Sequence, residues 1–169
     1  GRQFEGNNAV DSSMVKSDFV DVVFHDVCMN YSNLTDSKFT HVKFGNCGCS
    51  NCNFSGTQIL KSSIIGCDFI QSFFYGSQMI QTEFSHCSFE EAVFKNTEFI
   101  DVDLTRVGLD YAVLDAVSFT RTILPFWGVL RSYGGLNALS QQPKEIQIKY
   151  STLSIEISAT EFLSKLESL

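Results

Sequence analysis

A chain of 169 residues holds enough material for one domain, or one domain with an appendage, and too little for a second enzyme domain beside it. Its formal charge of −7 argues against direct binding to nucleic-acid phosphates, which depends on clustered Lys and Arg, and leaves basic proteins or imitation of a polyanion. No run of eighteen apolar residues offers a membrane span. The opening stretch Gly1-Arg2-Gln3-Phe4-Glu5 lacks the apolar core of a signal peptide, and six cysteines without a small-domain disulfide spacing fit a reducing compartment, so a cytoplasmic setting is expected.

From Phe4 to Leu124 every fifth residue is apolar, twenty-five positions in one register that runs Phe4, Ala9, Met14, Phe19, Phe24 and onward without a break. Thirteen of the sixteen phenylalanines fall on it, which chance does not produce. A period of five cannot make a helix face, because at about 100° per residue the apolar position marches around the axis. Two residues before almost every centre stands a small side chain, as in Ser17-Asp18-Phe19, Cys67-Asp68-Phe69 and Thr97-Glu98-Phe99. Small, polar, large is the in-out-in alternation of a very short strand. The other two residues of each pentad, such as Ser50-Asn51 or Ser55-Gly56, read as a corner. No proline interrupts residues 1 to 124, as expected where neighbouring strands need each N–H.

This pattern of small, polar, large, polar, polar resembles the pentapeptide-repeat family in its phenylalanine-rich variety, over about three quarters of the chain. The resemblance implies an all-β solenoid, a right-handed quadrilateral parallel β-helix in which four pentads close one square coil of twenty residues. The large and small residues then point inward. Twenty-five pentads make about six coils, and at about 4.8 Å per coil the rod is about 29 Å long. Each buried centre contributes roughly 1.5–3 kcal/mol of transfer free energy before ordering entropy is set against it. A solenoid with contacts only between adjacent coils needs that sum. Ala9 and Cys49 are weak centres, and Arg2 and Asn7 are not small, so the first coil departs most from the pattern.

Residues twenty apart form columns. One outward column reads Val20, Thr40, Leu60, Ile80, Ile100, Thr120, and another turns apolar late, at Phe73, Val93 and Val113. Around one coil, Leu60, Ile65, Ile70, Tyr75 and Ile80 form an apolar girdle. Exposed parallel strands favour β-branched residues, and the C-terminal segment folding back over part of this surface is one account of it. The other is a surface for a partner or for self-association.

Cys47, Cys49 and Cys52 look at first like a zinc cluster, but the lattice puts all three inward with no histidine beside them, so they are expected to be small fillers. Cys47, Cys67 and Cys87 stack one coil apart, and parallel side chains in equal rotamers keep their sulfurs beyond bonding distance, so free thiols are expected. His25, His41 and His86 share no column, and carboxylate pairs such as Glu90-Glu91 and Asp101-Asp103 lie on a convex surface that cannot desolvate them. No Gly-rich phosphate loop, nucleophile elbow or basic stripe is present.

Pro125 ends the repeat. Residues 125 to 142, with Phe126, Trp127 and Gly134-Gly135, predict a short apolar helix or turn over the last coil. Two strands follow, one on Ile146, Ile148 and Tyr150 and one on Leu153, Ile155 and Ile157, with a turn near Ser151-Thr152. Ser158 with Glu161 has the spacing of a capping box, opening a terminal helix faced by Phe162, Leu163, Leu166 and Leu169. The expected division is a β-helix over 1–124 and a small mixed α/β cap over 125–169. An open solenoid end exposes unpaired backbone, which requires a cap. The resemblance also implies tail-to-tail pairing, so Phe126, Trp127, Phe162, Leu163 and Leu166 are candidates for cap contacts or a homodimer. Residues 1 to 124 carry the whole net charge, eight Lys and Arg against fifteen Asp and Glu.

These features point to a non-enzymatic protein–protein interaction module, a rigid rod binding a protein partner through its flat outer faces. Its candidate surface is Val20, Leu60, Ile65, Ile70, Phe73, Tyr75, Ile80 and Ile100. No catalytic residue, metal, cofactor, direct nucleic-acid contact or membrane contact is expected. The alternative, implied by the resemblance, is an acidic DNA mimic that protects or inhibits a type II topoisomerase, DNA gyrase. Against it, the rod is short, lacks projecting loops and gathers its acids at its two ends.

Overall fold

Residues twenty apart hydrogen-bond as parallel neighbours along the whole repeat, because each pentad supplies one short extended segment and one corner. The structure, a computed structural model, describes residues 1–141, 146–150 and 155–167. The first wall stacks the strands Gln3–Glu5, Val23–His25, Lys43–Gly45, Ser63–Ile65 and Glu83–Ser85, with Phe4, Phe24, Phe44, Ile64 and Phe84 in one register. The fourth wall stacks six strands, from Asp18–Val20 to Ser118–Thr120. The second and third walls keep the same spacing, mostly through single bridges such as Cys28 to Gly48 and Asn53 to Phe73. The interior pile of Phe44, Ile64 and Phe84 is buried, as the register predicts.

Within the shaft, phenylalanines one coil apart stack face to face. Phe54, Phe74 and Phe94 repeat at 5.0 Å between centroids, and Phe69 and Phe89 stand at the same distance. Rings on adjacent walls meet edge-on, as Phe89 and Phe94 do at 5.4 Å. Edge-to-face contacts and stacking together fill a square section that neither geometry fills alone.

The small slot does more than save space. Ser32, Ser37, Ser72, Thr82, Thr97 and Thr122 each donate a hydroxyl to the carbonyl of a centre residue twenty-three positions earlier, as Ser72 Oγ does to Cys49 at 2.7 Å. Several also accept the N–H of the small residue one coil below, as Ser72 does from Cys52 at 3.0 Å. Buried polar groups must be paired, and this ladder pairs them.

Corners follow one rule. The second residue after the centre takes a positive φ at every corner from Gly6 to Arg121 except Arg106, including Lys61, Gln71, Tyr31, Tyr111 and Ala116. Such turns close from the centre carbonyl to the N–H three residues on, as Phe54 does to Thr57 at 3.2 Å. Left-handed backbone is costly for any residue with a Cβ. Ala116, exposed and at φ 50°, gives the cleanest test: Ala116→Gly is expected to stabilise the rod by up to about 1 kcal/mol in urea unfolding, and a destabilised variant would contradict the corner rule.

The winding continues past the pentads and counts about seven turns, against about six expected from the repeat alone. The strand Thr122–Pro125 leads directly into helix α1 (Phe126–Arg131), with Pro125 as its N-cap. Val129, five residues after Leu124, is still buried, and Tyr133 bridges to Val113 at the twenty-residue spacing. Helix α2 (Gly135–Gln141) packs on the strand Val113–Asp115. The strand Ile146–Tyr150 then lies parallel to Thr122–Pro125, extending the first wall, and pairs antiparallel with Ile155–Ser158. Helix α3 (Ala159–Glu167) opens as the capping spacing predicts, the N–H of Glu161 donating to Ser158 Oγ at 3.2 Å. The turn near Ser151-Thr152, with Leu153 and Leu169, lies outside the described residues.

Candidate interaction surface

Each outward residue is placed by the alternation of its strand, so the candidate surface is as rigid as the ladder that carries it. Val20 is exposed at the N-terminal end of the fourth wall, while Leu60, Ile80 and Ile100 are half-buried against one another in the column above it. The column encloses the Thr40 hydroxyl, which has no hydrogen-bond partner among the described residues. Beside it, Gln58 donates to Gln78 at 3.1 Å and Gln78 to Glu98 at 2.7 Å, a polar ladder parallel to the apolar stripe.

The girdle is the more open part. Ile65 is 45% exposed, Phe73 39% and Tyr75 42%, whereas Ile70 is half-buried. Phe73 and Tyr75 meet at 5.7 Å between ring centroids. Phe73 lies outside the register of centres, and only its column with Val93 and Val113 marks it in the sequence.

The described C-terminal elements seat on the strands Val113–Asp115 and Thr122–Pro125 at the end of the rod. Phe162 is buried and its ring meets that of Phe126 edge-on at 5.6 Å, and Leu163 and Leu166 pack partly buried against the core. Trp127 remains exposed, with the Arg131 guanidinium 5.5 Å from its ring centre.

All six cysteines are free thiols. Cys47 Sγ donates to the Phe24 carbonyl, Cys52 Sγ to that of Met29 at 2.9 Å and Cys87 Sγ to that of Ile64, so sulfur takes the role of the slot hydroxyl. The Cys47 N–H bonds Cys67 Sγ at 3.3 Å, which runs the ladder through three coils. Burial pushes the Cys49 thiol well above its ordinary value and that of Cys52 up to about 11. With folded pKa values raised, the stability these thiols contribute is present below pH 9 and is lost as pH rises toward 11. A maleimide is expected to label only the half-exposed Cys28 in the native protein; rapid reaction of two or more thiols would contradict the ladder.

The histidines are surface groups, with His25 beside Asp26 at 3.0 Å and His41 beside Asp21 at 3.6 Å. Arg121 Nη2 holds Asp101 at 2.8 Å and keeps its carboxyl below the usual range. No group of three His, Cys, Asp or Glu side chains among the described residues is arranged to hold a metal ion, and no described helix is long and apolar enough to cross a membrane. The clefts are open to solvent. The one at the N-terminal mouth, between Phe4, Phe19 and Val22, encloses about 620 Å³, and one on the third wall, beside Tyr111 and Tyr133, about 440 Å³.

Residues 32–71 and 74–110 match the sequence model of a family described as pentapeptide repeats (8 copies). No curated protein sequence matches the chain. Among solved structures, full-length QnrB1, a plasmid-mediated fluoroquinolone resistance protein, shares 14% identity over 78% of this chain and 81% of its own, with a TM-score of 0.48. HetL from the cyanobacterium Nostoc sp., a pentapeptide repeat protein involved in heterocyst differentiation regulation, shares 13% identity over 72% of this chain, with a TM-score of 0.35. The chain spans about 60% of HetL's length. A pentapeptide repeat protein from the Arabidopsis thaliana thylakoid lumen shares 9% identity over 97% of this chain and 88% of its own, with a TM-score of 0.36. Those overlaps are loose, whereas the family match falls directly on the coils, between Ser32 and Asp110, where the twenty-residue register is unbroken. The coils over residues 32–71 and 74–110 are thus similar in sequence to pentapeptide repeats, and the fold is the parallel β-solenoid that such repeats imply.

Proposed function

We propose that this protein is a non-enzymatic interaction rod that binds a protein partner through its outer walls. The observation that carries the reading is the apolar girdle and stripe: Ile65, Phe73 and Tyr75 stand open to solvent on walls whose interior is already full. Large apolar side chains cost solubility and contribute nothing to a shaft they do not enter. Leu60, Ile80 and Ile100 extend the same surface along the fourth wall. A flat, rigid β wall loses little entropy on binding, which suits it to a partner of fixed shape.

The double variant Ile80→Lys/Ile100→Lys is expected to keep its far-UV spectrum and lose the partners that the native chain co-precipitates from its host extract, at least tenfold by quantitative mass spectrometry. An unchanged set of partners would sink the stripe. Unfolding would show that the stripe is core.

A second reading, an acidic mimic of duplex DNA directed at DNA gyrase, draws on the net charge of −7. Several rod carboxylates are committed to cations, Asp115 to Lys95 at 3.2 Å and Asp101 to Arg121, which breaks any continuous negative track. Unchanged gyrase supercoiling at micromolar protein, with and without a quinolone, would end this reading.

A further inference from the structure

We propose that the C-terminal end of the third wall is a receptor for a basic side chain, Lys or Arg, presented by a partner polypeptide between the rings of Tyr111 and Tyr133 and beside the carboxylate of Glu91. This rests on the reading of the rod as an interaction module and adds the chemistry of what it binds.

The site is built by the coil register. Tyr133 bridges Val113, donates its N–H to the Ala112 carbonyl at 2.8 Å and accepts that of Leu114 at 2.7 Å, so its backbone is held as firmly as a pentad strand. Tyr111 is anchored at the corner by the Arg131 carbonyl at 3.2 Å. The two rings are 6.5 Å apart between centroids and tilted by 41°, and with Glu91 and Val113 they line an open cleft of about 440 Å³. Glu91 lies one coil below Tyr111, and its Oε2 accepts a hydrogen bond from Gln71 at 2.8 Å, which fixes the carboxylate at the cleft wall.

Tyr111 takes φ 59°, the left-handed conformation shared by nearly every corner of the rod, so its place is set by the coil. Tyr111 is 53% exposed and Tyr133 62%, so both are open to a ligand from solvent. The electrostatics name the ligand. Aromatic faces and a carboxylate both attract a cation, and the whole net charge of −7 lies on the coils. The neighbouring cations are taken, Arg131 by Asp110 at 2.9 Å and Lys95 by Asp115 at 3.2 Å. Val93 and Phe73 continue the column toward the N-terminus, an apolar floor for the residues that flank the bound cation.

The full chain, titrated with acetyl-Val-Arg-Val-amide and separately with acetyl-Val-Glu-Val-amide, is followed by the ring resonances of its tyrosines. The arginine peptide is expected to shift Tyr111 and Tyr133 saturably and the glutamate peptide to leave them in place. Tyr133→Ala and Glu91→Gln should each weaken the arginine peptide about fivefold, Glu91→Gln serving where loss of the ring disturbs the cap. No shift at millimolar arginine peptide, equal shifts with both peptides, or undiminished binding to Glu91→Gln would overturn the site. The Ile80→Lys/Ile100→Lys variant should bind the arginine peptide unchanged, so failure of the peptide with the stripe's partners retained would remove this site alone.

Discussion

Phe74→Ala is expected to lower the stability of the rod by about 3–5 kcal/mol. Phe74 is fully buried, stacks on Phe54 below and Phe94 above at 5.0 Å each, and meets Phe69 and Phe89 across the corners at 5.9 and 5.7 Å. Its removal leaves a gap in the middle of the shaft that the walls cannot close, because each is pinned to the coils above and below by main-chain hydrogen bonds. Adjacent-coil contacts are all that couple the two halves of a solenoid, so the loss also weakens cooperativity. Guanidinium unfolding should show a lower midpoint and a smaller m-value. Phe4→Ala is the control: that ring is partly exposed at the open end and stacks only on Phe24, at 5.2 Å, so its loss should cost under about 1 kcal/mol. Equal losses from the two substitutions would mean that the shaft relaxes freely.

The second large effect belongs to Gly134→Ala, expected to destabilise the C-terminal turn by about 2–4 kcal/mol, as left-handed backbone and a steric clash act together. Gly134 has φ 84°, and a Cβ there would lie 2.4 Å from the Leu114 carbonyl oxygen, a backbone atom that cannot swing aside. The Gly134 carbonyl also receives the Ala138 N–H at 2.9 Å, so any shift lifts α2 with its buried Ala138 and Leu139 off the third wall. Trp127, the only tryptophan, sits in this last turn and reports on it separately from the coils. Its fluorescence should change at a lower temperature than the far-UV β signal in the variant. A single unshifted transition would show that the turn after Tyr133 tolerates a side chain.

The period of five carried most of the fold because inside and outside alternate within each pentad, and burial leaves no other assignment for Phe39, Phe54 or Phe99. The capping role of Ser158 was readable for a similar reason: an N-cap bond spans three residues and leaves a local trace. The parallel pairing of Ile146–Lys149 with Thr122–Pro125 left none, since two helices separate the partners and nothing in either segment names the other. Corners hid their geometry as well. Tyr31, Gln71 and Lys61 are poor left-handed residues by preference, yet the ladders on both sides force them into that conformation. The candidate surface was readable only as a list of columns. An isoleucine such as Ile80 or Ile100 reads equally well as a strand former and as a contact, and only solvent exposure separates Ile65, Phe73 and Tyr75 from it. The cleft at Tyr111 and Tyr133 was out of reach, because Tyr133 lies beyond the last pentad and joins the third wall only through a bridge the sequence does not announce.

The interchangeable corners have a consequence for how such a rod can change length. Deleting or duplicating twenty residues removes or adds one full storey and leaves every face above it pointing the same way. Deleting a single pentad keeps the chain foldable but turns everything downstream by a quarter revolution, so that the tyrosine cleft would look out over a different side from the Phe73 patch. Homologues that share a target should therefore differ by whole storeys, and those that have gained or lost one pentad should have changed what they bind.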